Sequence, residues 1–261
     1  IFIFLLILTC DSIAAVSLPF KPRFSDKWRL ASDLGISYAS IPQFLSNRDM
    51  LTYNFTTRFG LAENREIFAR FNGFFSEIKN LVDNSVIATR ETEVDNISIG
   101  LNAQLKKEDM LPGILGNVEL SLAGKIKPFL PFEDRRRIYF SKWSIGATLF
   151  YTSDPLMPVI NIGYSFRPER TNQNVAIDLS DLLYVQPLLY FIVNSEITLY
   201  SGFSLNSWSN SYQNGQIQEM EKRELIFHSG VNFILNKELS MFMRLDLSQA
   251  YPVLTVQLTR Q

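Results

Sequence analysis

Polar, small and sometimes charged side chains alternate with apolar ones along several segments of this chain. Successive side chains of a β-strand point to opposite faces, so residues two apart share a face. One face is predicted to carry both signs of charge: Arg58, Glu66, Arg70, Glu119, Lys125, Glu224, His228, Arg244 and Asp246, with Asp33, Asn54, Asn102 and Gln104. An isolated buried charge is costly, so we expect these groups to be paired or hydrated. They could line a path for a solute, or they could form ion pairs that only hold the fold closed.

Catalytic chemistry finds little support in the sequence. The chain has a single histidine, which excludes a multi-histidine metal site. The residue after His228 is Ser229, and neighbouring strand residues face opposite ways, so the two cannot act together as base and nucleophile. We expect His228 to bind a neighbouring carboxylate instead. The sequence therefore predicts no enzyme, no catalytic residues, no metal and no cofactor.

The elements that position these side chains are long alternating segments. In 143–151, Trp143, Ile145 and Leu149 share one face, while small and polar residues occupy the other. Twelve strands are predicted, near 28–40, 50–61, 65–76, 94–105, 117–127, 142–152, 158–167, 182–193, 196–207, 223–235, 238–248 and 252–260. Most have about ten residues, the length that a tilted membrane-crossing strand needs, whereas strands of soluble proteins run about five or six.

The connections between these segments alternate in length. Short turns follow most even strands, with a longer link at 106–116 after the fourth, and longer polar links follow most odd strands, at 77–93, 128–141, 168–181 and 208–222. This pattern predicts an all-β fold, a transmembrane antiparallel up-and-down β-barrel of about twelve strands with short periplasmic turns and long outer loops. A soluble secreted β-sandwich is the alternative. We expect no helix longer than a single turn, and such turns are predicted at 178–183 and 108–115.

The first residues indicate export. Residues 1–8 are uncharged and apolar, too short a run to span a membrane as a helix, and Ser12-Ile13-Ala14 resembles a signal-peptidase site. We expect residues 1–15 to be a partial signal peptide and 16–261 to be one barrel domain. A buried N-terminal strand, or a lipoprotein anchored at Cys10, is the alternative. Cys10 is the only cysteine, so a processed chain would hold no disulfide.

The balance of charges limits which classes of binding partner we expect. The chain has 25 Lys and Arg against 26 Asp and Glu, and this balance gives no indication of nucleic-acid binding. The expected partners are outer-membrane lipids, a small-molecule solute, and lipopolysaccharide, whose phosphates the run Arg135-Arg136-Arg137 could contact. The expected location is the outer membrane of a Gram-negative bacterium.

Three short stretches carry a resemblance to a known family: 58–66, Trp143-Ser144-Ile145-Gly146 with Asp154-Pro155, and 193–199 with Gly202-Phe203-Ser204. They resemble the bacterial outer-membrane family named "MetA-pathway of phenol degradation", a group of transporters. The resemblance implies an outer-membrane channel or facilitator for small hydrophobic or aromatic molecules. The chain departs from outer-membrane barrels in ending with Thr259-Arg260-Gln261, without a terminal aromatic residue. A non-conducting structural or accessory barrel is the alternative function.

Overall fold

The protein is a closed antiparallel β-barrel of twelve strands, seen in a computed structural model that describes residues 28–43, 46–82, 85–123, 139–172, 175–248 and 251–260. The barrel strands are β1 (Leu30–Gln43), β2 (Ser46–Ala62), β3 (Arg65–Val82), β4 (Ser85–Lys106), β5 (Gly113–Ala123), β6 (Tyr139–Phe150), β7 (Leu156–Phe166), β10 (Leu182–Ile192), β11 (Ile197–Trp208), β14 (Lys222–Ile234), β15 (Leu239–Leu247) and β16 (Pro252–Arg260). Pairing of β1 with β16 closes the ring. The predicted signal segment 1–15, Cys10, Lys125 and the run 135–137 lie outside the described residues.

Polar residues face inward and apolar residues face outward. In β7, Asn161 and Ser165 are buried on the inward face, whereas Ile160 and Ile162 on the outward face are exposed. This order is the inverse of a soluble protein and is what a barrel surrounded by lipid requires. The twelve predicted strands and the barrel fold are therefore confirmed, and the β-sandwich alternative is wrong.

No helix of the described residues is long and apolar enough to cross a membrane.

The two predicted helical turns are wrong. Asp178 ends a strand and Leu182 begins β10, with a non-helical link between them. Residues 107–112 form the irregular turn between β4 and β5. Glu108 lies in that turn, and its carboxylate accepts hydrogen bonds from both the backbone N–H and the hydroxyl of Thr152. These bonds tie the turn to the neighbouring periplasmic turn between β6 and β7, which contains Thr152.

The strands on one side of the barrel extend further than the sequence predicted. The link predicted at 77–93 consists mostly of the ends of β3 and β4, which pair as far as Val82 with Ser85. A strand of about ten residues spans the membrane, so the 22 residues of β4 must project beyond it. Hydrophobic alternation is not needed where both faces meet water, so no strand pattern is visible in these residues.

Ion pairs between side chains join the projecting ends of β2, β3 and β4 on the outer surface of the barrel. Lys79 Nζ lies 3.1 Å from Asp49 Oδ2 and 3.3 Å from Glu77 Oε2, and Arg90 Nε lies 2.9 Å from Glu77 Oε1. Hydrogen bonds from Ser40 and Lys79 lower the pKa of Asp49. Hydrogen bonds from Arg90 and Lys79 lower the pKa of Glu77 in the same way.

Two of the predicted outer loops fold into a second sheet. Strands β8 (Arg170–Asn172), β9 (Val175–Asp178), β12 (Ser211–Gln213) and β13 (Gln216–Glu219) pair in the order β13-β12-β9-β8. Asn214 and Gly215 connect β12 to β13 with φ angles of 51° and 75°, the left-handed turn that suits a tight hairpin. Burial raises the pKa of Asp178, and the carboxylates of Asp181 and Glu169 raise it further.

Candidate functional site

The barrel interior holds two ion pairs on the β1–β5 side. Arg58 Nη2 on β2 donates to Asp33 Oδ1 on β1 at 3.1 Å. Arg70 Nη1 on β3 donates to Glu119 Oε2 on β5 at 2.9 Å, reaching past β4. Arg70 Nε also donates to Thr56 Oγ1 at 3.4 Å. Both arginines and Glu119 were predicted on this face, without a prediction of which carboxylates the arginines pair with.

A second polar group lies across β11, β14 and β15. His228 Nδ1 lies 2.7 Å from Asp246 Oδ1, and Arg244 Nε lies 2.9 Å from Asp246 Oδ2. The other ring nitrogen of His228, Nε2, forms a short hydrogen bond with the Ser204 hydroxyl. A carboxylate only accepts, so the Nδ1 proton points at Asp246 and the Nε2 of a neutral ring accepts from Ser204. His228 thus meets the neighbouring carboxylate that we expected.

The chain Ser204–His228–Asp246 has the connectivity of a serine hydrolase triad. Ser204 was not among the predicted site residues, because only residues on the strand of His228 could be compared with it from the sequence. Ser204 belongs to β11, and the register that places Gly202 beside His228 brings Ser204 within reach. The Ser204 side chain is fully buried, so a substrate carbonyl has no access to its oxygen.

We expect Ser204 to resist acylating probes. The refolded barrel should show no covalent labelling by a fluorophosphonate under conditions that label a trypsin control completely, because the nucleophile must touch the phosphorus atom to react. Intact-mass spectrometry measures the adduct. A mass increase on the wild-type chain that disappears in Ser204→Ala would show a reactive serine and contradict this expectation.

The remaining predicted residues lie away from these two groups. Glu66 accepts a hydrogen bond from Asn102 Nδ2 at 2.8 Å and is buried near the periplasmic end of β3. Glu224 is half-buried near the extracellular end of β14, where it lies opposite Asn206. Lys125 lies outside the described residues. The sequence-predicted set is therefore divided along the barrel rather than gathered into one cluster.

An apolar cluster fills the interior toward the periplasmic end. Tyr190 stacks on Tyr200 with ring centroids 5.5 Å apart, and Tyr200 stacks on Phe242 at 5.1 Å. Its buried members are Leu115, Phe150, Met157, Val159, Leu188, Tyr190 and Tyr200. This cluster was not predicted, because apolar residues were expected on the lipid face.

One aromatic side chain lies flat against the wall because its neighbour is glycine. Gly163 pairs with Tyr184, and a Cβ atom at Gly163 would lie 2.4 Å from the Tyr184 hydroxyl oxygen. Any larger residue would push the ring into the lumen. The glycine thus keeps the aromatic face of Tyr184 parallel to the path along the barrel.

No group of three or more His, Cys, Asp or Glu side chains that could hold a metal ion occurs within the described ranges.

Comparison with known proteins identifies the fold. No protein-family model matches the sequence, and no curated protein matches it either. The COG4313 outer membrane channel from Pseudomonas putida F1 has a TM-score of 0.70 at 10% identity, with 93% of this chain and 98% of that chain covered. The transport unit of the autotransporter AIDA-I from Escherichia coli has a TM-score of 0.55 at 11% identity, with 89% of each chain covered. The CymD monoaromatic hydrocarbon channel has a TM-score of 0.51 at 7% identity, with 91% of this chain and 89% of that chain covered.

These likenesses are at the level of architecture. The matched proteins are outer-membrane channels and a transport unit, so the chain has the fold of an outer-membrane β-barrel. Identities of this size do not carry a substrate from one protein to another. The resemblance to the phenol-degradation family is consistent with these neighbours, although no family model supports it.

Proposed function

We propose that this protein is a passive channel or facilitator in the outer membrane of a Gram-negative bacterium, and that it passes small solutes with apolar or aromatic bodies. The observation that carries the proposal is the partial exposure of inward-facing polar side chains such as Asn54, Arg70 and Asn117 inside a closed barrel. Solvent reaches these groups although lipid surrounds the outer face. An interior that admits water can admit a solute of similar width.

The aromatic part of the proposal has separate support. Tyr184, Tyr190, Tyr200 and Trp208 all face inward on β10 and β11, where they are 5–9% exposed, so a solute would reach them only at their lumen edges. Aromatic rings stack on aromatic solutes with a gain of about 0.5–1.5 kcal/mol per pair beyond area burial. The CymD channel, which shares the fold, is named for monoaromatic hydrocarbons. The family that the sequence resembles points the same way.

A non-conducting accessory barrel is the second candidate. The apolar cluster around Tyr190 and Tyr200 favours it, because a dewetted apolar constriction blocks ions. The fold shared with the AIDA-I transport unit favours it as well. In this function the ion pairs of the interior would only stabilise the closed wall.

Electrical recording separates the two functions. Refolded protein in planar lipid bilayers is expected to give discrete conductance steps, and toluene-sized solutes should equilibrate across proteoliposomes faster than across protein-free vesicles. Heat-unfolded protein from the same preparation is the control. The absence of both conductance and accelerated solute flux would reject the channel and leave the accessory barrel.

A further inference from the structure

The charges of the barrel interior are arranged asymmetrically with respect to the lumen. In each of three ion pairs the guanidinium is the more exposed member: Arg58 is 11% exposed against 5% for Asp33, Arg70 15% against 6% for Glu119, and Arg244 20% against 12% for Asp246. These side chains all point inward, so their exposed atoms face the lumen. The carboxylates lie behind them, against the wall.

This order gives the lumen surface a positive potential although the pairs are neutral as a whole. A pair with its cation forward acts as a dipole aimed at the lumen, and a wall of low dielectric constant focuses its field. Two further inward-facing carboxylates, those of Glu66 and Glu224, do not reverse this. Glu66 lies diagonally beside Arg58 on the neighbouring strand but is only 3% exposed, so it too lies against the wall, and Glu224 lies toward the extracellular end.

A fourth arginine extends the set toward the extracellular rim. Arg48 lies on β2, the strand of Arg58, and its buried guanidinium donates through Nη2 to Ser76 Oγ at 3.1 Å. The Nε atom of Arg48 has no hydrogen-bond partner. The guanidinium group forms no ion pair with any residue in the described ranges. A buried guanidinium without a carboxylate is costly unless an anion or water reaches it.

The three strands of the opposite wall carry no charged side chain, although the guanidinium of Arg167, directly after β7, lies over the Trp208 ring. Strands β7, β10 and β11 contain no Asp, Glu, Lys, Arg or His residue. In the ring, β10 lies opposite β2, with five strands between them in either direction, and β11 lies opposite β3 in the same way. The arginines of β2 and β3 therefore face the wall that carries Tyr184, Leu188 and Tyr200.

We propose that the lumen selects small organic anions, in which a carboxylate is attached to a flat apolar or aromatic body. The guanidinium fork matches a carboxylate in geometry and donates two parallel hydrogen bonds, while the aromatic wall accepts the body of the solute. This inference rests on the proposed channel function and specifies its substrate class. A neutral molecule of the same shape would meet the aromatic wall and leave the guanidinium groups unsatisfied.

The test compares benzoate with benzamide, which share a ring and differ in charge. In proteoliposomes the wild-type barrel is expected to pass benzoate several-fold faster than benzamide, and a KCl gradient across a planar bilayer should give a reversal potential of the sign that chloride selectivity requires. Arg58→Gln with Asp33→Asn removes one lumen guanidinium without changing net charge, and it should lower both preferences. Arg90→Gln with Glu77→Gln removes an ion pair from the outer surface and should lower neither.

Each outcome decides a separate question. A conducting wild-type barrel that prefers potassium, or passes benzamide as fast as benzoate, overturns the inference and leaves the channel function intact. Failure of all conductance and flux rejects the channel function. In that case, equilibrium dialysis of the detergent-solubilised barrel decides the inference. Stronger binding of benzoate than of benzamide to the barrel supports it, and equal binding overturns it. These wild-type measurements hold even if the Arg58 and Asp33 variant fails to fold.

Discussion

Replacing Arg70 by Gln is expected to lower the free energy of unfolding by about 3 kcal/mol, the lower end of the range for breaking a buried ion pair. The change leaves the Glu119 carboxylate in the barrel wall, with the hydroxyls of Ser121, at 3.4 Å, and Ser98 as remaining donors and Lys142 as the remaining nearby cation. A buried carboxylate without its cation costs far more than the lost hydrogen bond alone. Urea unfolding in detergent micelles, followed by tryptophan fluorescence, measures the loss.

Two further variants separate pairing from packing. Arg70→Met with Glu119→Leu removes both charges, and it should recover most of the stability because neither group is left unpaired. Arg223→Gln breaks an exposed pair with Glu221, and we expect a change of no more than about 0.5 kcal/mol there. If the double variant were as unstable as Arg70→Gln, the ion pair would not be the cause.

The strands could be predicted from sequence because alternation is a local property. Trp143, Ile145 and Leu149 mark one face of β6 without any knowledge of its neighbours. The alternation also placed Arg58, Arg70, Glu119, His228, Arg244 and Asp246 on the inward face. Where both faces meet water, as at the projecting ends of β3 and β4, this local signal disappears and the predicted boundaries were wrong.

The pairs within the site could not be predicted, because they depend on register between strands. His228 meets Asp246 directly across β14 and β15, and it meets Ser204 only diagonally across β14 and β11. Shifting either strand by one residue would turn the side chains to the opposite face. A sequence without aligned relatives does not determine that register, so the contact between Ser204 and His228 could not be predicted.

The interior apolar cluster was missed for a different reason. The rule that assigns apolar residues to lipid fails for Met157, Val159 and Tyr190, which lie near strand ends on the inward face. There they pack on one another instead of on lipid. The alternation in β7 was read correctly as two faces, but both faces are apolar at its start.

Replacing Ile162 by Arg is expected to prevent stable insertion of the barrel. Ile162 lies on the exposed outward face in the middle of β7. An arginine facing lipid near the bilayer midplane costs about 2–4 kcal/mol. The folded fraction in lipid vesicles, measured by the faster gel migration of unheated barrel, should fall well below that of the wild type.

Ile217→Arg is the matched control for this prediction. Ile217 is an isoleucine of comparable exposure on β13, in the sheet formed by the outer loops. That sheet meets water, so an arginine there keeps its hydration and the folded fraction should not change. Equal loss of folding in both variants would show that exposed apolar surface, rather than contact with lipid, sets the cost. Equal tolerance would show that the outward face of β7 does not meet the hydrocarbon core, and the membrane-embedded barrel would have to be abandoned.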